Sequence, residues 1–489
     1  MTICKKMPLD YASYQVDLGQ LEAAIETLEQ GRALLWSEMR GLRTLITEPI
    51  EEDLPLAKRL AEINQELEAV TMSIAPSRRL ETENNGTQGS DGMDAFGRLF
   101  VRQRKLLEER DALVSQTQGR PGFERFSKTP SFATLRSAAS HGPVIIINHC
   151  EWRCDILILL SDAPPSLIPT PEDFFDRASK LKDRLLDIRN NCGLDSPEYD
   201  LTLGFVLSEL YQLVGKPVIQ RLRKIGIPEQ SRIWWCPTSA FCSLPLHAIG
   251  PIPPTDEVKV KPQYISDLYI CSYTPTLSAL IESRSRDAHP SGNSSLLLVA
   301  QPDTSLPDAQ TEIKIIQALS VQVTSLVSED ATSSAVVDGL RGHQLVHFAC
   351  HGTLERAKPF DASFELHGGD RLTLLEIVRS RLPSAEFAFL AACHTAELTE
   401  ASVPDEGLHL VAAMQYCGFR SAVGTMWAMA DVDGPDLAKH FYKSMLSKKK
   451  KGIPYYERAA EALRDAVQKL RRKKKISFER WVNFVHYGA

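Results

Sequence analysis

The sequence predicts an α/β sandwich with a mostly parallel central sheet, preceded by an α-helical region. Three observations carry this expectation. Between Asp17 and about Leu113, apolar residues recur at three- and four-residue spacings, the period of an amphipathic helix. After Pro130 the texture changes to short, β-branched apolar runs, several followed directly by helical segments, and that alternation means a parallel sheet covered by helices. Between the two lies ETENNGTQGSDGMD, Glu81 to Asp94, rich in Gly, Asn, Ser and acid with almost nothing apolar, the composition of a mobile linker.

In order along the chain, DLGQLEAAIETLEQGRALLWSEM places Leu18, Leu21, Ile25, Leu28 and Leu35 on one helical stripe. Pro49 and Pro55 bracket a break, LPLAKRLAEINQELEAV repeats the stripe, and AFGRLFVRQRKLLEERDALV adds a helix after the linker. With the Leu18-Gly19 step, these read as the end of a tetratricopeptide-like array, or as a plain helical hairpin, which gives the same single period. GPVIIINHCEWRCDILILLSDAPP holds two apolar runs around a short polar segment and reads as a β-hairpin or two neighbouring strands. SRIWWCPTSAFCSLPLHAIG, SSLLLVAQPDTSLPDAQTEIKII, HQLVHFACHG, AEFAFLAACHTA and RSAVGTMWAMAD supply further buried strands. The expected divisions are a repeat-like helical region over 1–75, a flexible loop plus helix over 76–130, a supporting half over 131–290 and a chemically active half over 291–489.

Composition bounds the function. The 489 residues, 43% hydrophobic and 24% charged, are enough for two or three domains with real cores. A net charge of -6 gives no global field favouring nucleic acid. The basic residues collect instead in SKKKKG and LRRKKKIS, which either address acidic partners or the nucleus, or are solvated loops. No stretch approaches the ~18 uninterrupted apolar residues of a membrane span, and the start lacks a signal-peptide core, so a cytosolic or nuclear protein is expected. Ten scattered cysteines, several inside apolar runs (Cys236, Cys350, Cys417) and none in a C-x-x-C pair, read as reduced thiols. No phosphate-binding G-x-x-x-x-G-K-[ST] loop is present: Gly215-Lys216-Pro217 lacks the hydroxyl and the upstream glycine.

Two strands end alike. QLVHFAC runs into His351-Gly352, and EFAFLAA runs into Cys393-His394. In open α/β sheets, reacting groups gather beyond the carboxyl ends of strands, so a histidine after one and a cysteine after another are placed to meet. The chemistry they suit is acyl transfer: a thiolate attacks a carbonyl, the imidazole moves the proton to the leaving amine, and backbone N–H groups hold the oxyanion. Gly352 permits a sharp turn and close approach of a substrate carbonyl to its amide, and the Cys393 amide is the natural second donor. His347, four residues before His351, is expected to be a packed or orienting histidine. Cys350, His351, Cys393 and His394 make a poor metal cage because adjacent strand residues point oppositely.

An apolar strand ending in His-Gly, followed after an interval of 42 residues by one ending in Ala-Cys, resembles the caspase-type cysteine peptidases, which include caspases, separases and gingipains. The closer resemblance is to the CHAT family, the caspase-like domain found beside tetratricopeptide repeats. PTSAFCSLPLHAIG, YTPTLSALIESR, LLLVAQPDTSLPDAQTEIKII, the stretch from DEGLHLVAAM to HFYKSML, and the terminal WVNFVHYGA are all similar to that family, so the likeness runs from about Gly142 to the end. It implies a caspase-like α/β/α sandwich and a cysteine endopeptidase acting on protein, with His351 as general acid/base, Cys393 as nucleophile, and the Gly352 and Cys393 amides as oxyanion hole. The family's dyad needs no third carboxylate and no cofactor. Ala391 faces the pocket for the residue before the cut. Asp405, Glu406 and Asp431 either attract a basic side chain, as in separases, or cap the helices that follow, and Asp433 is expected to cap. The first half, with His149 and Cys150, lacks both endings and reads as non-catalytic support. An activating protein partner acting through the N-terminal helices is also expected, and the reading from another class is a silent adaptor.

Overall fold

The computed structural model describes residues 3–32, single helical residues between 59 and 70, 90–118, 130–252, 263–285, 294–302, 306–353, 362–392 except 381 and 383, 410–447, 452–473 and 476–489. By contacts the chain forms two compact units, 1–32 with 131–489, and 33–130. The helices of eight or more described residues are α1 (Ile3–Asp17), α2 (Leu21–Gly31), α3 (Ser90–Gln118), α4 (Phe174–Asn191), α5 (Pro197–Leu210), α6 (Lys216–Lys224), α7 (Leu277–Ser285), α8 (Ala309–Gln317), α9 (Ser333–Gly342), α10 (Leu410–Cys417), α11 (Gly434–Met445) and α12 (Tyr455–Arg471).

In the smaller unit Ile63 and Leu67 pack on Leu106 of α3, with Val70 and Leu113 at the rim. Arg59 pairs with Glu109 at 2.6 Å across the same helices. Helix α3 begins at Ser90, so the last five residues of the stretch expected to be a mobile linker are helical. Residues 81–89 lie outside the described residues.

The larger unit is built on fourteen described strands. These are β1 (Val144–Asn148), β2 (Asp155–Leu159), β3 (Ser166–Pro169), β4 (Arg232–Pro237), β5 (Ile270–Tyr273), β6 (Ser295–Ala300), β7 (Gln322–Val327), β8 (Leu345–Ala349), β9 (Gly352–Thr353), β10 (Ser363–Glu365), β11 (Arg371–Thr373), β12 (Phe387–Ala391), β13 (Ser421–Thr425) and β14 (Phe484–Gly488). Among the described residues eleven of them form one sheet in the order β3-β2-β1-β4-β5-β14-β13-β12-β8-β6-β7, and β9, β10 and β11 form a small second sheet. The runs VIIIN, DILIL, LVHFA and FAFLA are buried at every position, as strands covered by helices on both faces must be. The expected α/β sandwich with a mostly parallel sheet is therefore present.

Every neighbouring pair in the large sheet is parallel except β1–β2, β2–β3 and β13–β14. Consequently β1, β4, β5 and β14 form one parallel block, and β13, β12, β8, β6 and β7 form another running the opposite way. The last strand of the chain joins the blocks: β14 pairs with β13 from Gly488 opposite Ser421 to Phe484 opposite Thr425. Strand carboxyl ends thus emerge at opposite edges of the sheet in the two blocks.

The N-terminal helices differ from the expected single stripe. Helix α1 lies ahead of the stripe that begins at Asp17, and the chain turns at Leu18 and Gly19, where Gly19 takes φ 73°. Leu18 is exposed as a result, and the buried face is Leu9, Ala12 and Val16 on α1 with Ala24, Ile25 and Leu28 on α2. That face packs against Val144, Ile146 and Trp234 of the first block and Leu157 of β2, so the hairpin completes the core of the sandwich.

Candidate active site

Strands β8 and β12 lie side by side and parallel, with Ala349 opposite Ala391 at their carboxyl ends. The chain leaves β8 through the buried Cys350 to the half-buried His351, and leaves β12 through the buried Ala392 toward Cys393. Cys393, Asp405 and Glu406 lie outside the described residues. Gly352 opens β9 opposite Phe364 of β10, and the His351 carbonyl accepts from the Glu365 amide at 2.9 Å. The small sheet thus fixes the backbone on which His351 stands.

Beside the imidazole is a slot of about 20 Å³ walled by His351, Cys350, Ala391, Met429, Asp431 and Glu312. Its volume is about that needed for one water. Of the sequence-derived site residues, the structure therefore brings His351, Ala391 and Asp431 to one place. The Asp431 carboxylate accepts from the Asp308 amide at 2.6 Å. Burial pushes Asp431 above its usual range, with Asp308 and Glu312 acting the same way; the Asp308 hydrogen bond and the proximity of His351 oppose them.

Asp433 does not cap α11 through its side chain. The second helical residue is Pro435, which has no N–H to donate, and Asp433 itself sits in the helical region at φ -88° and ψ -22°. Its carboxylate instead pairs bidentately with Arg480, at 2.8 and 2.7 Å, in a site where the Asp433 side chain is 1% exposed. This corrects the expectation of a capping role.

His347 is fully buried beneath the slot. Its Nε2 meets Glu312 Oε1 and its Nδ1 meets the Tyr442 hydroxyl, both at 3.0 Å, while the ring stacks on Phe389 at 4.9 Å. A carboxylate only accepts, so Nε2 carries the proton and Nδ1 accepts from Tyr442, whose hydroxyl burial holds well above its ordinary pKa. Glu312 was not assigned a role from sequence. The signal was present: on α8 it shares the buried face of Ala309, Ile313 and Ile316, and a carboxylate on such a face needs a partner. Among the described residues no group of three or more His, Cys, Asp or Glu is arranged to hold a metal.

A family model for the CHAT domain matches residues 206–489, more than half of the chain. The chain belongs to the CHAT family. The match to the CHAT domain begins inside α5, downstream of β1, β2 and β3, and includes both strands that carry the slot. No curated protein matches this CHAT chain. Among solved structures it is similar to Saccharomyces cerevisiae separase in two crystal structures of its complex with securin, at 12% and 11% identity. Each match covers 95% of this chain and 37% of that one, with TM-scores of 0.48 and 0.47, so the chain spans little more than a third of the separase chain. It is also similar to gingipain R, an Arg-specific cysteine proteinase, at 11% identity over 65% of this chain and 74% of that one, with a TM-score of 0.38. No described helix is long and apolar enough to cross a membrane.

Proposed function

We propose that this CHAT chain is a cysteine endopeptidase of the caspase and separase type, cleaving protein substrates through His351 and Cys393. The observation that carries the reading is the register of β8 and β12. Ala349 stands opposite Ala391, and His351 and Cys393 each follow two residues later in the sequence, at the carboxyl ends of adjacent parallel strands. In this reading the Cys393 thiolate attacks the scissile carbonyl, the Gly352 and Cys393 amides hold the oxyanion, and His351 delivers the proton to the leaving amine. No cofactor takes part.

Asp431 and Ala391 on the slot wall favour a basic side chain before the cut, with Asp405 and Glu406 as further acids for the same role. The slot has room for about one water and widens as a side chain enters, and a protein partner raises the basal rate by favouring that widening. The exposed face of α1, with Met7, Tyr11 and Tyr14, is the surface we assign to that partner, in the cytoplasm or nucleus. The test is cleavage of a diverse peptide library by the purified chain and by its Cys393→Ala variant. Cuts made only by the parent, after Lys or Arg, are expected. Equal background cleavage by both replaces the reading with a silent adaptor.

A further inference from the structure

The half of the sandwich read as mere support repeats the register of the candidate active site. In the first block, β1 and β4 are adjacent and parallel, with Ile147 opposite Pro237 near their carboxyl ends. Two residues beyond that rung stand His149 and Ser239. Two residues beyond the Ala349–Ala391 rung of the second block stand, by sequence, His351 and Cys393. Since the blocks run oppositely, the first pair sits at the other edge of the sheet and has nothing to do with the slot beside His351.

The two side chains meet. His149 Nδ1 lies 3.1 Å from Ser239 Oγ, and Nε2 lies 3.2 Å from the Phe175 carbonyl oxygen. A carbonyl only accepts, so Nε2 carries the proton and Nδ1 offers its lone pair to the serine hydroxyl. The backbone beneath is pinned as well: Thr238 Oγ1 donates to the Ile147 carbonyl at 2.8 Å and accepts from the His149 amide at 2.9 Å. The imidazole is 2% exposed, stacked on Phe175 at 4.4 Å with Phe241 at its edge, whereas Ser239 is partly exposed. Burial lowers the His149 pKa to about 4, so the ring is neutral at neutral pH.

Ser239 is also one of four non-glycine residues with positive φ among those described, at φ 50°. It stands where a strand ends and a helical turn begins. A left-handed serine is strained, and such strain persists where the surroundings over-determine it, commonly at reactive sites. A nucleophile bonded to a base that a third group orients is the arrangement by which enzymes activate a hydroxyl.

We propose that Ser239 and His149 form a second nucleophile–base pair, able to take the acyl group of a small ester. Ser239 Oγ attacks the carbonyl carbon as its proton passes to His149 Nδ1. The bond to the leaving alcohol breaks, and the alcohol takes that proton. Water, activated by the same nitrogen, then releases the acid and restores the serine.

The test uses an alkyl fluorophosphonate on the full chain, with the adduct mapped by peptide mass spectrometry. The probe forms an Oγ–P bond as the P–F bond breaks and fluoride leaves, so the adduct marks an activated serine. An adduct on Ser239 is expected. Labelling should vanish in Ser239→Gly, which relieves the positive φ and keeps the fold, and should slow at least tenfold in His149→Gln. Absence of a Ser239 adduct overturns the proposal, as does labelling of folded His149→Gln at the parent rate. Should His149→Gln fail to fold, the parent is compared with itself unfolded in urea: faster labelling of the folded chain supports the pair, and equal or slower labelling overturns it.

Discussion

Replacing Glu312 by alanine should loosen the floor of the candidate active site by an amount the structure fixes. Glu312 is 3% exposed and His347 is fully buried, so the truncation leaves Nε2–H without an acceptor in a place water does not reach. Losing a buried hydrogen bond to a carboxylate, with its donor left unsatisfied, costs about 1.5–3 kcal/mol. Glu312→Gln keeps a carbonyl oxygen toward Nε2, and the loss there should be nearer 1 kcal/mol. Unfolding entropy of roughly 2.1 cal/mol/K per residue, over the roughly 390 residues of the larger unit, makes each kcal/mol worth about 1.2 °C. Calorimetric midpoints should therefore fall by about 2–4 °C for the alanine and by about 1 °C for the glutamine. Equal shifts in the two variants, or an alanine shift below about 1 °C, would refute the claim that a buried Glu312–His347 hydrogen bond supports β8.

Three further outcomes follow from the same geometry. Gly434→Ala should destabilise by about 1–3 kcal/mol, because its Cβ would stand 2.6 Å from Glu312 Oε2; most exposed helical glycines respond to alanine with the opposite sign, and a raised melting midpoint would contradict the packing. Asp433→Ala should cost about 1–3 kcal/mol, because Arg480 loses its bidentate partner and keeps Asp195 at 3.6 Å, and the double variant with Arg480→Met should recover part of it in a double-mutant cycle. Burial lowers His149 and His247 to about 4 from 6.5, and His486 well below 6.5. Between those values the unfolded chain binds the protons the folded one refuses, so stability is full above pH 6.5 and falls as pH drops toward 4, at about 1.4 kcal/mol per unit for each fully buried ring. A melting midpoint that does not change from pH 7 to 4.5 would contradict this.

How much of this was legible depends on the range of the interactions involved. Strands β1, β8 and β12 announce themselves because a run such as VIIIN or FAFLA, buried on both faces, has no other stable setting. Helix α1 was not picked out as an element because it carries Pro8 and sets apolar residues on more than one face, and only its contact with β1 and β2 makes it a core element. The opposed polarity of the two blocks was not readable, since it rests on β14 reaching back from the chain's end to sit between β5 and β13. His351 was marked locally by the glycine that follows it. Asp433 misled for the converse reason: local capping rules describe its neighbours, whereas its partner Arg480 is 47 residues away. The His149–Ser239 pair escaped notice because neither residue sits in a His-Gly or Ala-Cys ending, and only strand register brings them into correspondence.

The central claim is that His351 and Cys393 act together on a substrate whose basic side chain enters beside Asp431. Intact-mass and peptide mapping after exposure to an arginyl acyloxymethyl ketone tests it most directly, because that probe alkylates an activated thiolate held next to a bound arginine. The account predicts one adduct, on Cys393, lost in His351→Ala and slowed at least tenfold in Asp431→Asn when both variants melt like the parent. An adduct on Cys350, or labelling of Cys393 at the parent rate in His351→Ala, would contradict it.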